Sequence, residues 1–354
     1  MEIAARLTQE RFRDAVTEAL GTWLLLGVFL DGWAHLNLPG PETFFTPWHL
    51  ALYSGFALLS LWTAAVIYAR LRRGASFWNA IPRGYRATVA GVLIFGVGGL
   101  LDLFWHEVFG LEIALDALVS PTHVILGAGG VLILSTAVRS ARPGQRVSLL
   151  AVALTTALVS FFLVYASVFA ASAASESFVP TPEGTPGHAE AELPVIAGLD
   201  GYVVSTVLIT APLLYVLGSG IRPLAGTVTW IVGSLAWLSV GMVGFPLPAV
   251  GGAIGATAAG IVVDLVLWRL SPSGIVRWLP LIAGGTVALV RFGQLTGLAL
   301  TDAVRWPVAP VAWGRGAQRM SCGRSGDPRQ GFRGTLEGPL GRSTPSLIYP
   351  PGVY

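Results

Sequence analysis

The chain has 354 residues, of which 53% are hydrophobic and 12% are charged, and this composition excludes an ordinary soluble globular protein. The formal net charge of +3 comes from residues 307–354, where six arginines face two acids, so the rest of the chain carries −1. The other arginines lie in short loops rather than in one basic stripe, which excludes a nucleic-acid partner, and the single cysteine, Cys322, excludes an intrachain disulfide and a thiolate metal cluster.

The hydropathy pattern predicts an all-α, polytopic membrane helix bundle that lies in a lipid bilayer. Nine apolar stretches of about twenty residues are each long enough to cross ~30 Å of hydrocarbon as an α-helix. They lie at residues 17–36, 47–70, 87–108, 121–140, 148–172, 198–218, 224–243, 248–268 and 277–300. The polar start of the chain, residues 1–16, contains no small-residue cleavage site after a short apolar core, so we expect the first stretch to be retained as an anchor.

The loops between these stretches alternate in charge, and this alternation predicts their orientation. Arginines precede the first span and lie between spans two and three and between spans four and five, whereas the intervening loops carry acids. Positively charged loops resist translocation. We therefore expect a multi-pass cell-membrane protein with residues 1–16 in the cytoplasm and the loop at residues 173–197 on the extracytoplasmic side.

The C-terminal stretch at residues 301–354 is rich in Arg, Gly and Pro and contains no apolar span, which is the composition of a disordered tail. Nine spans would place its arginines outside the cell, against the orientation of the other loops. The alternative hypothesis is that a tenth span has been lost to a frameshift near residue 307, since Arg- and Gly-rich sequence is typical of a GC-rich gene read out of frame.

A pattern of polar residues occurs twice in the first four spans. Each time Asp-x3-His ends one span, an acid follows in the next loop, and Pro-x-His opens the next span. The first copy consists of Asp31, His35, Glu42, Pro47 and His49, and the second of Asp102, His106, Glu112, Pro121 and His123. Each copy offers one carboxylate and two imidazoles, a ligand set that oxygen-activating metal sites use.

Helix geometry predicts that each copy converges on one point. Asp and His four residues apart share one helix face, about 6 Å apart along the axis. A proline at a helix start places the histidine that follows it in the first turn. We therefore expect residues 17–140 to form two consecutive metal-site hairpins with their ligands near the extracytoplasmic interface, and residues 141–300 to supply five further spans.

The residue types alone do not name an ion, because one carboxylate and two imidazoles suit copper, iron or zinc. A simpler interpretation needs no metal. Each Asp would form a carboxylate–imidazole hydrogen bond, and Trp33, Trp48 and Trp105 would form an aromatic belt at the interface. The repetition, and the second histidine that enters from the next helix each time, favour a metal site in each copy.

The first copy resembles the metal-binding hairpin in one membrane subunit of the copper membrane monooxygenases, the particulate methane and ammonia monooxygenases. That family has Asp-x3-His and then Asp-Thr-x-Phe-Thr-Pro-Ser-His, where this chain has Glu42-Thr-Phe-Phe-Thr-Pro-Trp-His49 followed by Tyr53. The family begins its second set with Asn, where this chain has Asp102. The resemblance covers about residues 17–135 and extends to uncharacterised multi-pass bacterial membrane proteins with the same doubled motif.

The resemblance implies a copper cofactor and the following ligands: Asp31, His35, His49, Asp102, His106 and His123. Glu42 and Glu112 are candidates for hydrogen-bond partners of these ligands or for additional ligands, unless they are solvated loop acids. Four aromatic residues are candidates for the lining of a dry pocket beside the ions: Trp33, Trp48, Trp105 and Tyr53.

Three functions are compatible with these residues. The first is a copper-binding membrane protein that acts in a homo-oligomer, or with other membrane or cupredoxin-like subunits, to oxidise a small molecule at the extracytoplasmic face. The second is non-catalytic handling of copper or another divalent metal, by storage, delivery or transport. The third is a structural membrane subunit whose Asp–His pairs bind no metal.

Overall fold

The computed structural model describes residues 2–38, 45–109, 118, 120–141, 148–170, 184–218 and 226–304, and at residues 2–7, 165, 191, 192, 194, 195 and 197 it describes the backbone alone. Within these residues all regular secondary structure is helical. The chain divides into the units Met1–Trp306 and Pro307–Tyr354, and the second lies outside the described residues. The predicted disordered tail and the frameshift hypothesis therefore stay predictions.

The helices, in chain order, are α1 (Glu2–Asn37), α2 (Pro47–Leu71), α3 (Phe77–Ala80), α4 (Tyr85–Phe109), α5 (Pro121–Leu134), α6 (Thr136–Ser140), α7 (Leu149–Phe162), α8 (His188–Gly218), α9 (Thr227–Met242), α10 (Leu247–Arg269), α11 (Pro272–Arg277) and α12 (Leu279–Leu300), with a 3₁₀ helix at Val164–Ala166. In the described part of the chain, six helices contain an apolar segment long enough to cross a membrane. These segments are Thr8–Asn37, Pro47–Leu71, Tyr85–Phe109, Gly198–Gly218, Leu247–Arg269 and Leu279–Leu300. The structure thus confirms a membrane protein built from helices.

The other three predicted spans coincide with shorter helices. The apolar helices α5, α7 and α9 have 14, 14 and 16 residues. A helix of 14 residues rises about 21 Å, which is less than the ~30 Å of a hydrocarbon core. Ser135 separates α5 from α6, and α7 gives way to the 3₁₀ helix. The span count of nine, and the membrane hairpins, therefore stay predictions.

Two predicted boundaries differ from the structure. The first helix, α1, begins at Glu2 and so includes polar residues that were predicted to precede the first span. The helix α8 begins at His188, so residues 188–197 are helical although they fall in the loop predicted at 173–197. Alanines favour helix here, and Glu190 in the first turn interacts favourably with the helix dipole.

Close backbone contacts hold the helix pairs that carry the predicted ligands. The helices α1 and α2 run antiparallel, and a Cβ atom at Gly27 would lie 2.5 Å from Leu52 Cα, while one at Gly55 would lie 2.8 Å from Leu24 Cα. The helices α4 and α5 approach each other in the same way at Gly129. Because glycine has no Cβ, these backbones touch, and the end of one helix lies beside the start of the next.

The buried apolar side chains form two main cores. The first core lies among α1, α2, α4, α5 and α7 and includes Leu24, Phe95 and Phe161. The second core lies among α8, α9, α10, α11 and α12. The end of α1 meets the second half of the chain where Asn37 Nδ2 donates to the carbonyl oxygen of Met242 at 3.0 Å.

Asp264, an acid within the apolar helix α10, has a structural role. Its carboxylate accepts the backbone N–H of Val228 at 3.0 Å, the N–H of Thr229 at 2.9 Å and the Thr229 hydroxyl at 2.7 Å. These groups lie in the first turn of α9, whose N–H groups have no partner within their own helix. Asp264 therefore caps α9 from a neighbouring helix.

Candidate metal centre

The last turns of α1 and the first turn of α2 bring three predicted ligands together. Asp31 and His35 lie on one face of α1, and His35 Nε2 is 3.6 Å from Asp31 Oδ1. His49 of α2 places its Nε2 3.1 Å from the same carboxylate oxygen. One ligand atom from each residue lies within 4.8 Å of the other two. We call Asp31, His35 and His49 the first triad.

The position of His49 follows from the start of α2. Thr46 is the N-cap residue in extended conformation, and its hydroxyl accepts the His49 N–H at 3.1 Å. Pro47 occupies the first helical position, where its fixed φ suits the helix and its missing N–H costs nothing. This cap fixes the backbone of His49 one turn inside α2, opposite the carboxylate of Asp31.

The helices α4 and α5 bring a second set together in the same order. His106 Nε2 is 3.7 Å from Asp102 Oδ2, and His123 Nε2 is 3.5 Å from Asp102 Oδ1. Here too, one ligand atom from each residue lies within 4.8 Å of the other two. Ser120 is the N-cap residue of α5 and Pro121 its first helical residue, as at the start of α2. We call Asp102, His106 and His123 the second triad.

Two hydroxyl groups link the ligands of the second triad. The Thr122 hydroxyl donates to Asp102 Oδ1 at 3.0 Å, and Ser120 Oγ lies 3.2 Å from Thr122 Oγ1 and 2.7 Å from His123 Nδ1. An ionised carboxylate only accepts, so Thr122 spends its proton on Asp102 and accepts the proton of Ser120. Ser120 must then accept a proton from His123 Nδ1.

This chain of donors sets the tautomer of His123. With its proton on Nδ1, a neutral imidazole presents a lone pair at Nε2. That lone pair lies 3.5 Å from Asp102 Oδ1, which is also an acceptor. Two acceptors that face each other in a buried place repel, and a cation between them would remove the repulsion. The second triad therefore has the donor set of a metal site.

The two triads lie side by side. The ring centroids of His49 and His106 are 6.4 Å apart. Tyr53, one turn along α2 from His49, lies edge-on to that histidine with 6.1 Å between ring centroids. Its ring also packs against Gly99 of α4, where a Cβ atom would lie 2.9 Å from Tyr53 Cε1. Tyr53 thus contacts both helix pairs at the level of the ligands.

The carboxylates of both triads are buried. Asp31 is 9% exposed and Asp102 is 2% exposed. A charged carboxylate within a membrane helix costs about 3 kcal/mol unless it is paired. Asp264 meets this cost with three N–H and O–H donors. Asp31 Oδ1, in contrast, forms no hydrogen bond of good geometry within the described residues, although two imidazole nitrogens lie beside it.

The spacing of the ligand atoms fits one small cation in each triad. Two ligand atoms that are each ~2.1 Å from an ion are roughly 3.0 Å apart at a right angle and roughly 4.2 Å apart when opposite. The carboxylate–imidazole distances of the two triads are 3.1, 3.5, 3.6 and 3.7 Å. Small side-chain movements would complete the coordination. Copper, iron and zinc all accept this N and O donor set.

The other residues predicted beside the ions have varied positions. Trp33 and Tyr53 pack against the first core, and Trp105 packs against Phe109 with ring centroids 4.6 Å apart. The indole N–H of Trp48 is buried and has no hydrogen-bond partner within the described residues. Two further predicted residues, Glu42 and Glu112, lie outside the described part of the chain. A role for these six residues at a metal ion stays a prediction.

Sequence reasoning missed Ser120 and Thr122. A signal was available, because Ser-Pro and Thr-Pro before an apolar run indicate an N-cap followed by the first helical residue. Ser120-Pro121 and Thr46-Pro47 both have this form. The bond from Thr122 to Asp102 joins residues twenty positions apart, and no local pattern predicts it. Comparisons of the chain with protein-family models, with curated proteins and with solved structures found no match.

Proposed function

We propose that this protein binds copper in the membrane, with one ion in the first triad and a second ion in the second triad. One observation carries the proposal: in each triad, one carboxylate oxygen and two imidazole nitrogens from two helices lie within 4.8 Å of one another. Paired helices with fixed caps present these ligands, so binding an ion requires little ordering of the chain.

Copper is the ion we favour. Nitrogen and oxygen sites of one geometry bind divalent copper more tightly than iron or zinc. The sequence around the first triad, from Asp31 to Tyr53, also resembles the copper-binding hairpin of the copper membrane monooxygenases. Iron and zinc are the alternatives that metal analysis would detect.

The proposed setting is a membrane complex that oxidises a small molecule at the extracytoplasmic face, with this chain as one of its subunits. It includes nine spans, a cytoplasmic N-terminus and two membrane hairpins, which together place both triads near the outer interface. Bound copper would supply one-electron redox chemistry. The chain's own residues hold the ions: the aspartates offset their charge, Ser120 and Thr122 orient the second set, and the neighbouring apolar core limits access of water.

Metal analysis of the purified full-length protein tests the proposal. We expect one copper per triad in the copper-loaded wild type and a type 2 Cu(II) signal in electron paramagnetic resonance. The double variant His35→Ala/His106→Ala should lose both the copper and the signal. His188→Ala is the matched control, because His188 is the one histidine of the sequence outside the triads, and it should load as the wild type. Equal and negligible copper in the wild type and the double variant would contradict the proposal.

A further inference from the structure

A cavity of about 740 Å³ lies at the end of the bundle away from the triads. Four arginines and one acid line it: Arg13, Arg70, Arg73, Arg83 and Glu10. Another part of the lining is apolar and belongs to one side of α2, where Trp62, Ala65 and Ala69 follow each other at helical spacing. The cavity thus combines an excess of positive charge with an apolar wall.

The depth of this cavity follows from helix length. Arg13 precedes Asp31 by 18 residues of the continuous helix α1, which corresponds to about 27 Å along the axis. The hydrocarbon core of a bilayer is ~30 Å thick. The cavity and the triads therefore lie about one membrane thickness apart, and the arginines occupy the interface where phospholipid phosphates lie.

Two of the arginines have charge to spare. Arg13 is paired with Asp14 at 3.1 Å, and Arg70 donates to the carbonyl oxygen of Asn79 at 2.9 Å. Arg73 and Arg83 are exposed on the cavity side, and neither forms an ion pair with a carboxylate among the described residues. Their guanidinium groups are available for an anion.

The connection between α2 and α4 holds these arginines in place. Gly74, directly after Arg73, has φ of +88°, and Gly84, directly after Arg83, has φ of +83°, a conformation that favours glycine. A Cβ atom at Gly84 would lie 2.5 Å from Ser140 Oγ. The Ser140 hydroxyl also donates to the carbonyl oxygen of Arg83 at 3.2 Å. The backbone of Arg83 is therefore fixed against α6.

We infer that this cavity binds the phosphodiester headgroup of an anionic phospholipid. Arg73 and Arg83 would contact the phosphate, since guanidinium groups match phosphate oxygens with paired hydrogen bonds. The lipid's acyl chain would lie along the apolar side of α2 at Ala65 and Ala69, both of which are exposed. A basic recess between membrane helices at an interface is the usual form of such a lipid site. This inference is independent of metal binding.

Native mass spectrometry of the full-length protein in detergent tests the inference, with phosphatidylglycerol and phosphatidylcholine of identical acyl chains as probes. Phosphatidylglycerol should bind more tightly than phosphatidylcholine. The variant Arg73→Gln/Arg83→Gln should bind phosphatidylglycerol about thirtyfold more weakly, because each arginine near a membrane surface contributes roughly fivefold. The control Arg269→Gln/Arg277→Gln removes two exposed arginines that do not line the cavity and should bind as the wild type.

Three results would overturn the inference. They are equal binding of the two lipids, wild-type binding of phosphatidylglycerol by Arg73→Gln/Arg83→Gln, and inorganic phosphate alone binding as tightly as phosphatidylglycerol with the same dependence on Arg73 and Arg83. The last result would indicate a site for a soluble phosphate. An unchanged circular dichroism spectrum and melting temperature of the variant would show that its fold is intact, so loss of lipid binding could not come from unfolding.

Discussion

Asp102 of the second triad accepts a hydrogen bond from Thr122, whereas Asp31 of the first triad has Trp48 at the corresponding position after the helix-start proline. Ser120 likewise bonds to the ring of His123 as well as capping its helix. The same ligand types thus have different support. In the second triad, hydroxyl groups already orient the ligands, whereas in the first triad the carboxylate oxygen nearest the histidines depends on those imidazoles.

The comparison shows which part of a metal site the ligands alone do not provide. Both triads have the helix positions and distances that a cation needs. Only for the second triad do the described hydrogen bonds fix a tautomer that presents a nitrogen lone pair. We therefore expect the second triad to be the more ordered site before metal binding, and we expect its affinity to depend on residues other than its ligands.

The largest expected effect is the loss of one ion by substitution of one ligand. His49→Ala should lose the copper of the first triad and keep that of the second, and His123→Ala should do the reverse. Elemental analysis combined with the paramagnetic resonance spectrum of each variant would measure this. If either substitution removed both ions, the two triads would share one centre, which their separation by 6.4 Å between the His49 and His106 rings allows only through a bridging group.

A smaller effect is expected from the hydroxyl chain. Thr122→Val keeps the shape of the side chain but removes the donor to Asp102, so copper affinity at the second triad should fall about 10–100-fold, as for other partners of metal ligands. The first triad should be unaffected. Competition with a chelator would measure both affinities. Thr63→Val is the matched control, because Thr63 is also buried but lies away from the ligands on α2. Equal affinities for Thr122→Val and Thr63→Val would contradict the role of the chain.

The smallest effect concerns the packing that aligns the first triad. Gly27→Ala places a methyl group 2.5 Å from the backbone of Leu52, so α1 and α2 must separate. We expect a loss of about 1–3 kcal/mol of unfolding free energy and a weaker first copper site. Gly284→Ala is the control, because a Cβ atom there meets nothing within 4 Å, and it should be neutral or stabilising by about 1 kcal/mol. Thermal unfolding of the metal-free proteins would measure the difference, and equal stability of the two variants would contradict the packing argument.

Much of the site was predictable because its geometry is local. Asp and His four residues apart must share a helix face, and a proline fixes the start of the next helix, so convergence of each set followed from spacing. The membrane class followed from composition. The number of spans was less predictable, because hydropathy does not show where Ser135 interrupts one helix or where α7 changes to a 3₁₀ helix.

The remaining features depend on contacts between distant parts of the chain. Asp264 could have been a ligand, an ion-pair partner or a cap, and only the position of α9 beside it identifies the cap. Ser120 and Thr122 are common residue types whose role depends on how α4 packs against α5. The cavity at Arg73 and Arg83 depends on two left-handed glycines and on α6, which no single segment contains.

The central claim is that each triad holds a copper ion through two imidazoles and one carboxylate. X-ray absorption at the copper K edge, on the copper-loaded full-length protein in lipid nanodiscs, tests it most directly. The account predicts nitrogen and oxygen scatterers with the outer-shell pattern of about two imidazoles per copper, and loss of that pattern in His35→Ala/His106→Ala. A spectrum without imidazole scattering, or one unchanged in the double variant, would contradict the account.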